Sequence, residues 1–98
     1  METIQLDLDS KNKGQFFILE DEEQVGEMDV LISGNTLTVF HTEVLPKAEG
    51  RGLAKKLFEA MVEYARKKNL KVVALCPFVF AQFKRHPQEY TDIWTYTV

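Results

Sequence analysis

The sequence predicts a mixed α/β (α+β) fold with one mixed sheet: an antiparallel strand meander, then a strand–helix–strand unit and a C-terminal helix. Apolar and polar residues alternate through most of the first half, which is the pattern of half-buried strands. From Leu53 the apolar residues recur every three or four positions, as on one face of a helix. Residues 71–76 are almost continuously apolar and predict a buried strand. We expect one domain over residues 1–98.

Four strands are predicted in the first half of the chain. Ile4, Leu6 and Leu8 alternate with polar residues and mark the first strand. Gly34 and Asn35 separate the last two strands and form a pair that accepts positive φ in a tight hairpin. The four predicted strands are residues 3–9, 15–20, 25–33 and Thr36–Val44.

An amphipathic helix is predicted over residues 51–68, with Asn69 as its terminator. A strand at 71–76 would then lie parallel to the strand that ends at Val44, through a right-handed crossover. The apolar stripe of this helix consists of Leu53, Leu57, Phe58, Met61, Val62 and Ala65.

Proline residues bound a second predicted helix. Pro77 suits the first helical position, and the helix should end by His86 because Pro87 disfavours helical geometry in the residue before it. Its apolar residues are Phe78, Val79, Phe80 and Phe83. We expect residues 93–98 to form a short closing strand.

Charge is distributed unevenly along the chain. Residues 1–46 contain two lysines and ten acidic residues, whereas residues 47–98 contain ten Lys or Arg and five acidic residues. The second half therefore favours an anionic ligand, although several of these cations could simply form the solvated face of a helix. A pI near 5.3 without interleaved basic and aromatic residues argues against nucleic acid as a partner.

Several classes of protein are disfavoured by composition. The single cysteine, Cys76, excludes an internal disulfide, and with two histidines it argues against a structural zinc site. The longest largely apolar run, residues 72–81, is too short to span a membrane. The first residues lack the pattern of a signal peptide, so we expect a cytoplasmic protein without a metal.

The stretch 47–54 (KAEGRGLA) lies between the fourth strand and the first helix. Gly50 and Gly52 allow a tight turn and leave backbone amides uncovered where a helix presents unbonded N–H donors. The helix dipole adds about half a positive charge there, so a phosphate or pyrophosphate is the expected ligand. Alternatively, the two glycines only help the helix to pack. A Rossmann fingerprint would need a third glycine at Lys55, and the Gly-Lys-Ser/Thr of a P-loop is absent.

This order of elements resembles the GNAT superfamily of acyl-CoA-dependent N-acetyltransferases. The acetyl-CoA signature of that superfamily is Gln or Arg, two residues, Gly, one residue, and Gly or Ala. Residues 47–52 (KAEGRG) match it, except that Lys47 replaces Gln or Arg. Over residues 15–85 the chain looks most like a branch of very small, Gcn5-like members. Those chains also carry Cys-Pro-Phe, Arg-His-Pro and Tyr, here residues 76–78, residues 85–87 and Tyr90.

The resemblance implies a binding mode for acetyl-CoA as co-substrate. Backbone amides of residues 51–54 would hold the pyrophosphate, and the strand edge at 40–44 would pair with the pantetheine as an extra strand would. Arg85 and His86 would meet the 3′-phosphate or adenine, or would instead only stabilise the end of the last helix. The predicted acetyl-CoA contacts are Val44, Lys47, Gly50, Arg51, Gly52, Leu53, Ala54, Arg85 and His86.

The resemblance also implies attack of an amine on a thioester, polarised by a backbone N–H near residues 41–44. Glu43 and His41 are candidates for taking the proton of the amine, directly or through water, because alternation puts them on one face of their strand. The alternatives are an exposed strand carboxylate for Glu43 and a half-buried, hydrogen-bonded imidazole for His41. Relatives often use a tyrosine on the last helix as the acid, but Tyr90 lies beyond Pro87.

Cys76 is the third catalytic candidate. It precedes a helix that starts with proline, and a helix N-terminus lowers the pKa of a thiol. It would accept the acetyl group transiently or donate a proton to the CoA thiolate. The alternative is an inert core cysteine.

The sequence thus predicts an acetyl-CoA-dependent N-acetyltransferase that acts on an amine, with a protein or peptide amine as a candidate acceptor. Family members typically place helices after the first strand to shape the acceptor pocket, and only residues 9–14 are available here. The acceptor side should therefore be open. The alternatives are a catalytically inactive acyl-CoA-binding sensor or interaction module, and an interaction domain without a ligand. We expect a monomer or weak dimer with no membrane partner.

Overall fold

The computed structural model describes residues 2–95. Within them, the chain forms five strands and two α-helices in the predicted order. The elements are β1 (Glu2–Leu8), β2 (Lys13–Glu20), β3 (Glu23–Ser33), β4 (Thr36–Val44), α1 (Leu53–Lys67), β5 (Lys71–Ala74) and α2 (Pro77–Arg85), with 3₁₀ turns at Pro46–Ala48 and Pro87–Glu89.

All five strands join in one sheet in the order β1-β2-β3-β4-β5. β1 to β4 are antiparallel neighbours, and β5 runs parallel to β4. Helix α1 makes the crossover between these two parallel strands. In the turn between β3 and β4, Gly34 has a φ of 60°, whereas Asn35 does not adopt a positive φ. The mixed sheet and its meander confirm the predicted fold class.

The hydrophobic core lies on one face of this sheet. All six residues of the predicted α1 stripe are buried, and they pack against the inward side chains of the strands. Helix α2 lies on the same face, because the ring of Phe58 in α1 is 6.5 Å from that of Phe78 and 5.3 Å from that of Phe83. The opposite face, which we call the uncovered face, carries side chains that are exposed or half-buried. Neither helix lies on it.

Strands β2 and β3 each begin two residues earlier than predicted, and two predicted boundaries near the glycine loop and β5 were wrong. Helix α1 begins at Leu53 rather than at residue 51, since Gly50 and Gly52 have φ angles of 82° and 73° that an α-helix does not allow. Strand β5 ends at Ala74 rather than at residue 76. The side chain of Leu75 is 60% exposed, so the predicted burial does not extend to it.

The chain after α2 is attached to the core by polar contacts. The Arg66 Nε donates to Asp92 Oδ2 at 2.9 Å, and the Lys71 Nζ donates to the Asp92 carbonyl at 2.6 Å. Trp94 forms an isolated parallel bridge with Val72. Residues 96–98 of the predicted closing strand lie outside the described residues. No helix within residues 2–95 has the length and hydrophobicity needed to cross a membrane.

Candidate functional site

The segment between the 3₁₀ turn and α1 forms a loop of residues 49–52, which we call the glycine loop. Gly50 and Gly52 both lie in the left-handed region of φ, where a residue with a Cβ is strained. A Cβ built on either glycine would meet no atom within 4 Å, so the backbone angle, and not space, requires glycine. These glycines turn the chain so that α1 starts directly after the loop.

The backbone donors from Gly50 into the first turn of α1 have no partner within the described residues, whereas the Glu49 N–H donates to the Pro46 carbonyl at 3.3 Å. Among residues 2–95, no protein acceptor receives a hydrogen bond from the N–H groups of residues 50–54. The first backbone bond of the helix runs from the Lys56 N–H to the Gly52 carbonyl, at 3.1 Å. Consecutive N–H groups at a helix N-terminus attract an anion through their dipoles.

Two cationic side chains, Lys47 just before the loop and Arg51 within it, form hydrogen bonds with carboxylates. Lys47 Nζ donates to Glu23 Oε1 at 2.6 Å, and Arg51 Nη1 donates to Glu20 Oε1 at 3.1 Å. The Arg51 guanidinium also lies 3.5 Å from a carboxylate oxygen of Glu2. The bond to Arg51 lowers the pKa of Glu20 and raises that of Arg51. The positive side chains near the loop are thus partly neutralised by the protein, whereas its N–H groups are not.

Strands β4 and β5 separate before β4 reaches the glycine loop. Their pairing ends with Val39 opposite Ala74, and the N–H groups of Leu75 and Cys76 both donate to the Val39 carbonyl at 3.0 Å. Beyond this point β4 has no parallel neighbour among the described residues, so its edge from residue 40 to 44 is open. The geometry allows an extended ligand to pair with that edge.

A β-bulge at Phe40 reverses which side chains of β4 face the core. Val39 lies opposite Val30 in β3, but His41 lies opposite Asp29, so Phe40 is an extra residue. Before the bulge the odd-numbered residues are buried, and after it His41 is exposed while Thr42 is half-buried. The directions of the backbone N–H and C=O groups change at the same residue.

The bulge also determines which N–H groups reach the open edge. The Leu45 N–H donates to the Val25 carbonyl of β3 at 2.9 Å. Because alternate residues of a strand direct their N–H groups to opposite edges, Thr42 and Val44 direct theirs away from β3. The predicted oxyanion donor near residues 41–44 therefore has two candidates.

His41 and Glu43 share one face, as predicted, but it is the uncovered face. Simple alternation from Val39 would have put both side chains in the core, and the bulge moves them to the other side. Both are exposed, so the alternative of a half-buried imidazole for His41 was wrong. The exposed-carboxylate alternative for Glu43 agrees with its position.

Two acidic residues beside them were not recognised from the sequence. Glu27 lies directly opposite Glu43, and Asp29 lies directly opposite His41. Partial burial raises the pKa of Glu27, and hydrogen bonding to Asp29 and the charges of Asp29 and Glu43 raise it further. The hairpin turn places these residues near β4, but their pairing depends on the bulge.

Cys76 lies at the point where β4 and β5 separate. Its side chain is 2% exposed, and its Sγ is 3.4 Å from the Oγ1 of Thr42. It is the N-cap residue of α2, with Pro77 at the first helical position as predicted. The thiol thus lies beside a helix N-terminus and inside the core.

Arg85 and His86 are exposed at the C-terminal end of α2. Together with Lys55, in the first turn of α1, they line a shallow cavity of about 240 Å³. Lys55 was not singled out by the motif, although its position just after the glycine loop would have suggested it. Glu59, Glu89 and Tyr90 line it as well, so the cavity brings both cationic and acidic side chains to one place.

Tyr90 is packed in an aromatic cluster. Its ring lies 5.4 Å from that of Phe58 and 5.1 Å from that of Phe83, and the Arg66 guanidinium lies 5.8 Å from its centre. Burial raises the pKa of its hydroxyl, which makes the charged form less favourable. The contacts explain this residue as part of the core.

No group of three or more potential metal ligands occurs within residues 2–95.

Comparison with known proteins places these features in a family. A family model described as GCN5-related N-acetyl-transferase matches residues 15–93. A GCN5-like protein from Staphylococcus aureus, solved by NMR, is 28% identical and has a TM-score of 0.68, over 96% of this chain and 90% of that one. A search of curated proteins gave no significant match.

Two more distant structures show the same fold. A ribosomal-protein-alanine N-acetyltransferase from Brucella melitensis biovar Abortus 2308 is 15% identical, with a TM-score of 0.70 over 99% of this chain and 93% of that one. A GNAT family acetyltransferase from Elizabethkingia anophelis, with acetyl-CoA bound, is 12% identical, with a TM-score of 0.66 over 90% of this chain and 74% of that one. The family match covers most of β2, the strands β3 to β5, the glycine loop and both helices, and leaves out β1. The chain therefore belongs to the GCN5-related N-acetyltransferase family.

Proposed function

We propose that this protein binds acetyl-CoA and transfers its acetyl group to an amine. The observation that carries the proposal is the row of N–H groups at residues 50–54, which have no acceptor among the described residues and lie at the start of α1. A pyrophosphate satisfies such donors and benefits from the helix dipole. Family membership supports acetyl transfer, and the bound acetyl-CoA in the Elizabethkingia neighbour supports the choice of ligand.

The rest of the ligand would follow the open edge of β4. Acetyl-CoA supplies the acetyl group as an activated thioester. In this proposal the pantetheine pairs with residues 40–44, and the N–H of Thr42 or Val44 donates to the thioester carbonyl. A donor fixed in a strand needs little reorganisation when negative charge develops on that oxygen.

Side chains would contribute less to CoA binding than the backbone. Lys47 and Arg51 already contact Glu23 and Glu20, so a phosphate would compete with these carboxylates for them. We propose that the cavity lined by Lys55, Arg85 and His86 holds the 3′-phosphate or adenine. Arg85 and His86 would otherwise serve only to stabilise the end of α2.

The amine would approach from the uncovered face, where Glu43 and His41 lie. One of them would take the proton of the attacking amine, directly or through water. Direct attack requires no covalent intermediate on the protein. Cys76 is close to the separation of β4 and β5, where it would donate a proton to the leaving CoA thiolate or only fill the core.

A catalytically inactive CoA-binding module is the second candidate. The observation that favours it is the exposure of both proposed bases, since neither Glu43 nor His41 is held by a hydrogen bond within residues 2–95. A catalytic base is normally oriented by a partner. In that case the protein would sense acyl-CoA or present it to another protein.

Calorimetry with CoA, combined with an assay of thiol release from acetyl-CoA, separates these possibilities. The assay should contain a panel of small amines, polyamines and lysine peptides. The proposal predicts CoA binding and release that depends on an added amine. Binding with no release for any amine would support the inactive module, and no binding would refute both.

A further inference from the structure

The uncovered face contains a groove that the proposed chemistry does not by itself explain. The groove has a volume of about 770 Å³ and is lined by three aspartates, Asp7, Asp9 and Asp29, against one cation, Lys13, together with Gln15 and Phe40. Asp7 pairs with Gln15, Gln15 with Asp29, and Asp29 with His41, so these side chains form one row across β1 to β4. The row leads directly to a proposed catalytic base.

A second row runs beside the first. Phe17 of β2 lies opposite Glu27 of β3, which lies opposite Glu43 of β4. We call the groove and these two rows the acidic groove. Burial is the largest cause of the raised pKa of Glu27, and the hydrogen bond with Asp29 and the charges of Asp29 and Glu43 raise it further. Like charges directly opposite each other in a sheet repel, and this repulsion is destabilising. A bound cation would relieve it.

Charge selects among the occupants that could cover this face. A second copy of the chain would bring the same carboxylates against Glu27 and Asp29, and nucleic acids or anionic lipids would be repelled. A cationic partner is complementary to it. The side chain of Phe40, 40% exposed at the edge of the groove, offers an aromatic surface for a lysine or arginine stem and its charge.

We propose that the acidic groove docks a lysine-rich polypeptide segment and so presents an amine of that segment to the open edge of β4. The proposal rests on the proposed function for the identity of the bound amine as acceptor. A polypeptide fits better than a small amine because the first row extends across four strands and the second across three, which is further than one amine reaches. The short turn between β1 and β2 leaves the groove open along its length.

Fluorescence anisotropy with a labelled lysine-rich nonapeptide, without acetyl-CoA, tests the docking separately from catalysis. The matched probe is the same peptide with norleucine in place of lysine. We expect binding of the lysine peptide that weakens as salt is added, and no measurable binding of the norleucine peptide. The double variant Glu27→Gln and Asp29→Asn should raise the Kd about five- to tenfold, as expected for two partly exposed ion pairs.

The control variant is Glu22→Gln with Glu63→Gln, which removes the same charge from the turn between β2 and β3 and from the exposed side of α1. It should leave the peptide Kd unchanged, and CoA binding by both variants should match the unmodified protein, which shows that they fold. Equal Kd values for the two peptides, or for the two variants, would overturn the proposal. A lower KM for spermidine than for the peptide would assign the face to free polyamines and would also overturn it. Peptide binding without acetyl transfer would instead refute the proposed function and leave the docking surface standing.

Discussion

The glycine loop and the acidic groove meet at β4, but they present opposite parts of the polypeptide to a ligand. In the loop the side chains of Lys47 and Arg51 are held by glutamates, and the N–H groups of the main chain remain available. In the groove the N–H and C=O groups of the main chain are hydrogen-bonded between strands, and a partner would contact the carboxylates of Glu27 and Asp29. The glycine loop would bind its ligand through the backbone, and the acidic groove would bind its partner through side chains.

This difference predicts how each region responds to substitution. Binding through N–H groups depends on φ and ψ, so it should be sensitive to the two glycines and tolerant of changes in nearby side chains. Binding through carboxylates should behave in the reverse way, with strong effects of charge and salt. The following experiments test this contrast.

The largest effect is expected at the proposed bases. His41→Asn and Glu43→Gln, made separately, should lower kcat about 100-fold for the residue that takes the proton and only slightly for the other. The KM for acetyl-CoA should stay unchanged because neither side chain lies in the glycine loop. Steady-state kinetics with saturating amine measures this. If both variants retain more than about a third of kcat, neither residue is the base.

A smaller effect is expected from Gly52→Ala. The left-handed conformation costs a residue with a Cβ about 1–2 kcal/mol, and an exposed loop relieves this by turning its N–H groups away. We expect CoA to bind about 5- to 30-fold more weakly by calorimetry.

Gly34→Ala is the matched control for Gly52→Ala. Gly34 also has a positive φ, and a Cβ there also meets no atom within 4 Å, but it lies in the β3–β4 turn. It should lower thermal stability by a similar amount and leave the affinity for CoA unchanged. Equal affinities for CoA in the two variants would show that the loop N–H groups do not bind the ligand.

Cys76→Ser should change kcat by less than about threefold if the amine attacks directly, because the hydroxyl is smaller than the thiol and can still hydrogen-bond with Thr42. Mass spectrometry after incubation with acetyl-CoA should show no acetyl group on Cys76. An adduct there, together with loss of turnover in the serine variant, would establish a covalent route in place of direct attack.

The smallest effect concerns pH and distinguishes two carboxyls. Glu20, beside the loop, has a lowered pKa, so its contribution to stability is present above about pH 4.5 and is lost as the pH falls through its folded value. Glu27, in the groove, has a raised pKa, so its ionisation opposes folding above its folded value.

The free energy of unfolding at neutral pH should therefore change in opposite directions in the two variants. Glu20→Gln should lower stability at pH 7, and Glu27→Gln should raise it by no more than about 0.5 kcal/mol. NMR titration of both carboxyls is the direct check. A pKa of Glu20 at or above its ordinary value would contradict the ion pair with Arg51.

Local sequence patterns were sufficient for most elements. The alternation of Ile4, Leu6 and Leu8, the stripe on α1 and the terminator Asn69, with its φ of 56°, each reflect interactions within a few residues. The glycine loop could be predicted for the same reason, since positive φ is a local property of glycine. The early end of β5 was missed because Leu75 is apolar but lies where the neighbouring strand has turned away.

The sequence by itself thus determined the order of strands and helices, the parallel pair and a loop with unpaired N–H groups. Only the tertiary structure decided that His41 and Glu43 face the uncovered side and that Glu27 and Asp29 lie opposite them. The physical reason is the bulge at Phe40, which changes the phase of β4. A bulge arises from pairing between distant strands, and alternation along a single strand carries no record of it.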